Sequence, residues 1–249
     1  MLDQDNLVDR PDMTWFRDAR WGVFMHFLAH QASDRSPSTL TTESWNLTVD
    51  GFDVVGLAQQ LDEVGAGYFF ITLGQNSGFY LSPNATYDGL VGRGPSRCSD
   101  RDLVADLAAA LEARGIPLLV YLPSHAPADD RVAVEGLRCT PDWDASKWQL
   151  RPGRYLRTTK TDARLSAFQR NWEAVIAEWS RRWGRKVVGW WFDGCYYPEK
   201  LYLHEDPPNF HTFRAAAKAG NPESIVAFNP GVREAFDVNT PYEDYTSGE

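Results

Sequence analysis

The sequence predicts an α/β fold: a (β/α) TIM-type barrel in one domain over residues 1–249, short of closure at its C-terminal end. Three observations predict it. Short apolar runs alternate with amphipathic stretches, the strand–helix order of a parallel sheet with right-handed crossovers. The runs are solidly apolar, as strands buried on both faces require. Polar and aromatic residues gather just after the C-terminal ends of these runs, the face where barrels carry their functional residues.

The elements follow in order. WGVFMHF (21–27) reads as a buried strand. FDVVGLAQQLDEVGA (52–66) reads as a helix, because Val54, Leu57, Leu61 and Val64 recur at helical spacing on one face. GYFFITL (67–73) is the second strand. Ser99 is read as the cap of a helix over 100–115, with Asp100 and Asp102 in its first turn and Gly115 at its end. IPLLVYL (116–122) is the third strand, and a long helix over 162–183 carries Phe168, Trp172, Val175, Ile176 and Trp179. VVGWWFD (187–193) is the fourth strand. FHTFRAAAKAG (210–220) is a helix, SIVAFNP (224–230) a fifth strand, and EDYTSGE (243–249) reads as the start of a sixth. A closed barrel has eight strands, so this is a fragment or an incomplete barrel. The alternative is an open doubly wound sheet. No glycine fingerprint follows any strand, which argues against a dinucleotide-binding version of it. His26, Gln75-Asn76, Ser124-His125, Asp193 and Asn229 stand at successive strand ends.

Composition bounds the partners. The chain is 43% hydrophobic and 24% charged, with a net charge of −9. No stretch is strongly basic, so neither nucleic acid nor an acidic membrane surface is an expected partner. The three cysteines, Cys98, Cys139 and Cys195, form no CxxC pair and no zinc pattern. His30 and His125 have no His or acid at metal spacing, and neither a metal nor a cofactor is expected. The N-terminus is polar and acidic, with no secretory h-region, and no apolar run approaches the roughly 18 residues of a membrane span. A cytoplasmic protein is the plain expectation; a chain trimmed of its signal would be secreted. Asn84-Ala85-Thr86 fits the glycosylation sequon, which means little without a signal. The chain has 13% aromatic residues, including ten tryptophans. Much of this is core, and aromatic platforms also stack on sugar rings.

VVGWWFDGCYY (187–197) runs an apolar strand into one carboxylate, Asp193. An Asp before a Gly commonly starts a turn by accepting a nearby backbone N–H. The wider sequence adds a second role. TWFRDARWGVFMHF (14–27) resembles the opening segment of the α-L-fucosidases of glycoside hydrolase family 29, matching at Trp15, Phe16, Asp18, Ala19, Gly22, Phe24 and His26. TESW (42–45), with Glu43 and Trp45, resembles the family's Glu-Trp stretch. GAGYFFITLGQNSGFYLSPN (65–84) and SDRDLVADLAAALEARGIPLLVYL (99–122) are similar to its next units, and WWFDG (190–194) to its W-F-D-G.

The resemblance implies a retaining exo-glycosidase acting on terminal α-L-fucosides or a related deoxysugar. Asp193 would attack the anomeric carbon, and a second carboxyl would serve as acid and then base. Glu249 is the first candidate for that partner and Glu243 the second, with Glu234 in the same zone. The bland reading of all three is a solvated surface acid. For substrate binding the resemblance implies His26, Glu43 and Trp45, with Gln75, Asn76, Tyr121 and Trp191. A satisfied strand-end histidine competes with that role at His26, and simple packing competes at Trp45. One departure stands out: Gln75 and Asn76 replace the family's His-His pair. Amides still donate and accept, but they cannot become cationic. Two other functions therefore stand beside the first. One is a catalytically inactive carbohydrate-binding barrel. The other is a glycosidase of different sugar specificity. In each, the expected partner is a carbohydrate.

Overall fold

The computed structural model describes residues 9–29, 40–139, 148–151, 154–157, 164–195, 201–231, 238 and 240–247. Its strands are β1 (Val23–Met25), β2 (Phe69–Thr72), β3 (Leu118–Pro123), β4 (Trp148–Arg151), β5 (Arg154–Arg157), β6 (Val187–Asp193) and β7 (Ile225–Phe228). Five of them form one parallel sheet in the order β1-β2-β3-β6-β7, while β4 and β5 pair as an antiparallel hairpin. The register sets Phe24 beside Phe70, Tyr121 beside Trp191, and Phe192 beside Phe228.

The order never reverses, unlike that of a doubly wound sheet. Right-handed crossovers then place every connecting helix on one side of the sheet. The helices are α1 (Thr14–Ala19), α2 (Thr42–Asp50), α3 (Val54–Glu63), α4 (Ala85–Val91), α5 (Leu103–Glu112), α6 (Arg131–Gly136), α7 (Ser166–Trp183) and α8 (Phe210–Ala217). Most begin at a side-chain cap. Asp53, Asn84, Asp102 and Asp130 each accept a backbone N–H three residues on. Thr41 with Ser44, and Asn209 with Thr212, form capping boxes. Asp102, not Ser99, caps α5, which starts at Leu103. A carboxylate suits the positive helix end, and the Ser99 hydroxyl is engaged with the Arg101 carbonyl.

Alternate strand residues face opposite sides. One set, including Phe69, Ile71, Val120, Leu122, Trp190, Phe192 and Phe228, packs under the helices as the main core. Trp172 and Trp179 of α7 are buried there. Each aromatic side chain buried this way contributes about 2 kcal/mol. Their indole N–H groups donate to the Pro123 and Pro83 carbonyls. The other set includes Phe70, Leu119 and Ile225, covered by Met13, Trp15, Phe16, Tyr68 and Tyr245.

Among the described residues the sheet is open, with β1 and β7 at its two edges. One expectation is corrected: no sixth strand forms over 243–247. The Asp244 N–H donates to the Val226 carbonyl at 2.7 Å, but the returning bonds go from β7 N–H groups to carboxylates. Val226 N–H donates to Asp244 Oδ2 (3.0 Å) and Phe228 N–H to Glu243 Oε2 (3.2 Å). Side-chain oxygens thus take the β7 donors that a strand's carbonyls would take. Asp244 is held in turn by Arg214 and Lys218.

Candidate active site

Asp193 ends β6, and its two oxygens have different environments. Oδ1 accepts from the Gly194 backbone N–H at 2.8 Å and from Asn229 Nδ2 at 2.9 Å. Oδ2 accepts from the Tyr121 hydroxyl at 2.5 Å. Gly194 has φ +81°, which bends the chain away from the strand without the strain a side chain would bring. The Asp-Gly turn is therefore present on one oxygen, while the other faces β3. Asn229 is fully buried just past β7. Its Oδ1 accepts from Gly231 N–H (2.9 Å) and the Ser247 hydroxyl (3.1 Å), which leaves Nδ2 for the carboxylate.

The same face carries an aromatic wall. Phe24 lies with its ring centroid 4.8 Å from His26, 5.5 Å from Tyr121 and 5.4 Å from Trp191. His26 meets Tyr121 edge-on at 5.4 Å. Its Nδ1 sits 2.7 Å from the Thr72 hydroxyl, which donates on to the Met25 carbonyl at 3.4 Å. Phe24 is 37% exposed. The buried Trp191 Nε1 and Asn76 Oδ1 make no hydrogen bond among the described residues. At the end of β3, His125 Nδ1 is 2.8 Å from the Ala126 carbonyl. Its imidazole pKa is lowered: burial outweighs the raising effects of the Ala126 carbonyl and the Asp193 charge.

The structure brings together His26, Tyr121, Trp191 and Asp193, with Gln75 joined through its Nε2–H to Tyr121 at 3.2 Å. Asn76 is next in the same turn. It does not bring in Trp45, which is buried in the main core, packs on Phe27 and Phe79, and donates to the Tyr80 carbonyl. Glu43 is exposed on α2 and lines a surface groove with Thr42, Asn46 and Asp100. Glu243 is not a solvated acid: it is buried, with its carboxyl against β7. Glu249, Glu234 and His30 lie outside the described residues. Sequence reasoning noted Asn229 at a strand end without giving it a role. The available signal was an Asn directly after a solid apolar run, followed by Pro-Gly. Among the described residues, no group of three or more His, Cys, Asp or Glu is placed to hold a metal, and no helix is long and apolar enough to cross a membrane.

No protein-family model matches the chain, and no curated protein does. Solved structures do. An α-L-fucosidase of glycoside hydrolase family 29 from Bacteroides thetaiotaomicron superposes with a TM-score of 0.55 at 21% identity, over 88% of this chain and 48% of that one. The chain's fold is similar to that of the family 29 α-L-fucosidases. A second structure of such an enzyme from the same organism, trapped as a covalent intermediate with 2-fluoro-fucosyl fluoride, gives 0.51 at 18% identity over 89% of this chain and 50% of that one. An endo-fucoidan hydrolase of glycoside hydrolase family 107 gives 0.63 at 17% identity, over 91% of this chain and 35% of that one. The chain thus spans about half the length of the fucosidases it resembles.

Proposed function

We propose that the chain forms a (β/α)-barrel retaining glycosidase domain acting on terminal α-L-fucosides or a related deoxysugar, with Asp193 as nucleophile. One observation carries the reading: a strand-end carboxylate held by three donors, facing an aromatic wall that includes Phe24, His26, Tyr121 and Trp191. The neighbours add support, since they are fucosidases and fucoidan hydrolases, one of them trapped as a covalent intermediate.

In the proposed first step, Asp193 Oδ2 attacks the anomeric carbon. The bond to the leaving oxygen breaks, and that oxygen takes a proton from a second carboxyl. Water, deprotonated by the resulting carboxylate, then attacks the same carbon and releases Asp193. Oδ2 is the better attacking atom, because Oδ1 already carries two donors. Glu249 is the proposed acid/base. Glu243 ranks behind it because its carboxyl is engaged by the β7 backbone. His26 Nε2, with Asn76 Oδ1 and Trp191 Nε1, which have no partner among the described residues, are proposed to bind sugar hydroxyls. The second reading, carbohydrate binding without turnover, is favoured by that engagement of Glu243 and by the neutral Gln75-Asn76 pair.

The test is a panel of aryl glycosides assayed with wild type and Asp193→Asn. Turnover of the α-L-fucoside, abolished by about three or more orders of magnitude in the variant, is the expected result. Equal activity in both proteins contradicts the assignment of Asp193.

A further inference from the structure

Gln75 carries the amide expected from sequence to meet substrate, yet its nitrogen is committed inside the protein. Tyr121 has a single hydroxyl hydrogen, and an ionised carboxylate only accepts. That hydrogen therefore points to Asp193 Oδ2. Only lone pairs of the phenol oxygen remain for Gln75, so Gln75 must present its N–H, as it does at 3.2 Å. The relay has one direction: Gln75 to Tyr121 to Asp193.

The turn that holds Gln75 is braced from below. Gly78 N–H donates to the Gln75 carbonyl at 3.0 Å, and Asp129 N–H to the Asn76 carbonyl at 2.9 Å. Arg97 donates to the Ser77 carbonyl at 2.6 Å and pairs with the buried Asp130 at 3.1 Å. Arg93 grips the same carboxylate through both of its terminal nitrogens. Gly78, at φ +75°, runs so close over Asp130 that a Cβ would lie 2.8 Å from its Oδ2.

We propose that Gln75 is a positioning residue rather than a sugar ligand: through Tyr121 it keeps a hydrogen bond on the attacking oxygen of Asp193, and so sets the balance between formation and hydrolysis of the glycosyl-enzyme. The inference rests on the glycosidase reading. When Oδ2 bonds to the anomeric carbon and the leaving oxygen departs, the carboxylate loses its charge and the Tyr121 bond weakens. When water displaces Asp193, the electron pair returns to Oδ2 and the bond strengthens. The donor therefore resists the first step and assists the second.

The experiment uses an aryl α-L-fucoside with a good leaving group, for which the second step limits kcat and the first governs kcat/KM. Tyr121→Phe lowers kcat about tenfold or more, with a smaller change in kcat/KM. Gln75→Met lowers kcat several-fold with the same split, and Gln75→Glu, which keeps the shape without the donor, follows it. In the Tyr121→Phe background Gln75→Met changes kcat by less than about twofold, because its path to Asp193 is gone. A rise in KM at unchanged kcat, or a Gln75→Met effect that multiplies fully with Tyr121→Phe, overturns the proposal and makes Gln75 a sugar ligand. Thermal unfolding gives a second readout that needs no activity. The Tm loss of the double variant falls short of the sum of the two single losses if the contact stands, and equals that sum if it does not. A wild type that turns over no aryl glycoside overturns the glycosidase reading and the kinetic role with it, while additive Tm losses overturn the contact in either case.

Discussion

Tyr121 and Asp193 lie two residues apart in register on adjacent parallel strands, and the phenol hydroxyl donates to Asp193 Oδ2 at 2.5 Å. Residues of one parity on β3 and β6 share a face, so the pairing register alone points both side chains the same way. Asn229 completes the arrangement from just past β7, and Gly194 from just past β6.

Asn229→Ala is expected to remove one donor from Asp193 and to leave Gly231 N–H and the Ser247 hydroxyl without their acceptor. A hydrogen bond to a charged group contributes about 1.5–3 kcal/mol. Steady-state assays should therefore show kcat/KM down by roughly 10- to 100-fold. Activity within twofold of wild type would show that Gly194 and Tyr121 suffice.

Asp130→Ala should destabilise the fold. Its carboxylate is 1% exposed, pairs with Arg93 and Arg97 and caps α6, while the two arginines keep some contact with water. Breaking such a cluster from one side costs about 3 kcal/mol. Urea unfolding should show a lower midpoint at similar slope. An unchanged midpoint would mean that the arginines are fully rehydrated by small movements.

Glu173 gives a pH signature. Burial raises its carboxyl pKa above the ordinary 4.5, against the Thr212 hydroxyl that donates to it at 2.7 Å. A raised folded-state pKa means that the folded protein holds this proton more tightly than the unfolded chain. Its contribution to stability is present below about pH 4.5 and is lost as pH rises through the folded value. Glu173→Gln should therefore raise Tm at pH 7, and the gain should shrink toward pH 4. A gain that grows on acidification contradicts the sign.

The sequon at Asn84 is structurally closed. Asn84 is fully buried, caps α4 through Tyr87 N–H at 2.7 Å and donates to the Val175 carbonyl at 2.9 Å. The folded protein expressed through a secretory host should carry no glycan there by mass spectrometry. Asn84→Ala should cost about 1–2 kcal/mol through the lost cap.

The strand–helix alternation was legible because parallel strands buried on both faces leave solid apolar runs. β6 occupies the span 187–193 read from sequence. Four helices, α1, α2, α4 and α6, were not read; α1, α4 and α6 have six or seven residues, too few turns to show a period, and α2 carries only Trp45 and Val49 as buried residues. The edge of β7 was misread for another reason: whether a segment's carbonyls or its carboxylates accept from a neighbouring strand is settled by packing, as at Glu243 and Asp244. Trp45 and Trp191 are the same residue type. Only tertiary placement puts one in the main core and the other on the site face. Asn229 meets Asp193 from 36 residues away, a contact that no local pattern encodes.

The central claim is that Asp193 is the nucleophile of a fucose-related retaining glycosidase. Incubation with 2-fluoro-fucosyl fluoride, proteolysis and mass spectrometry test it most directly. The claim predicts one 2-fluorofucosyl adduct, carried by the peptide containing Asp193 and absent from Asp193→Asn. An unlabelled protein, or an adduct on a different carboxylate, contradicts it.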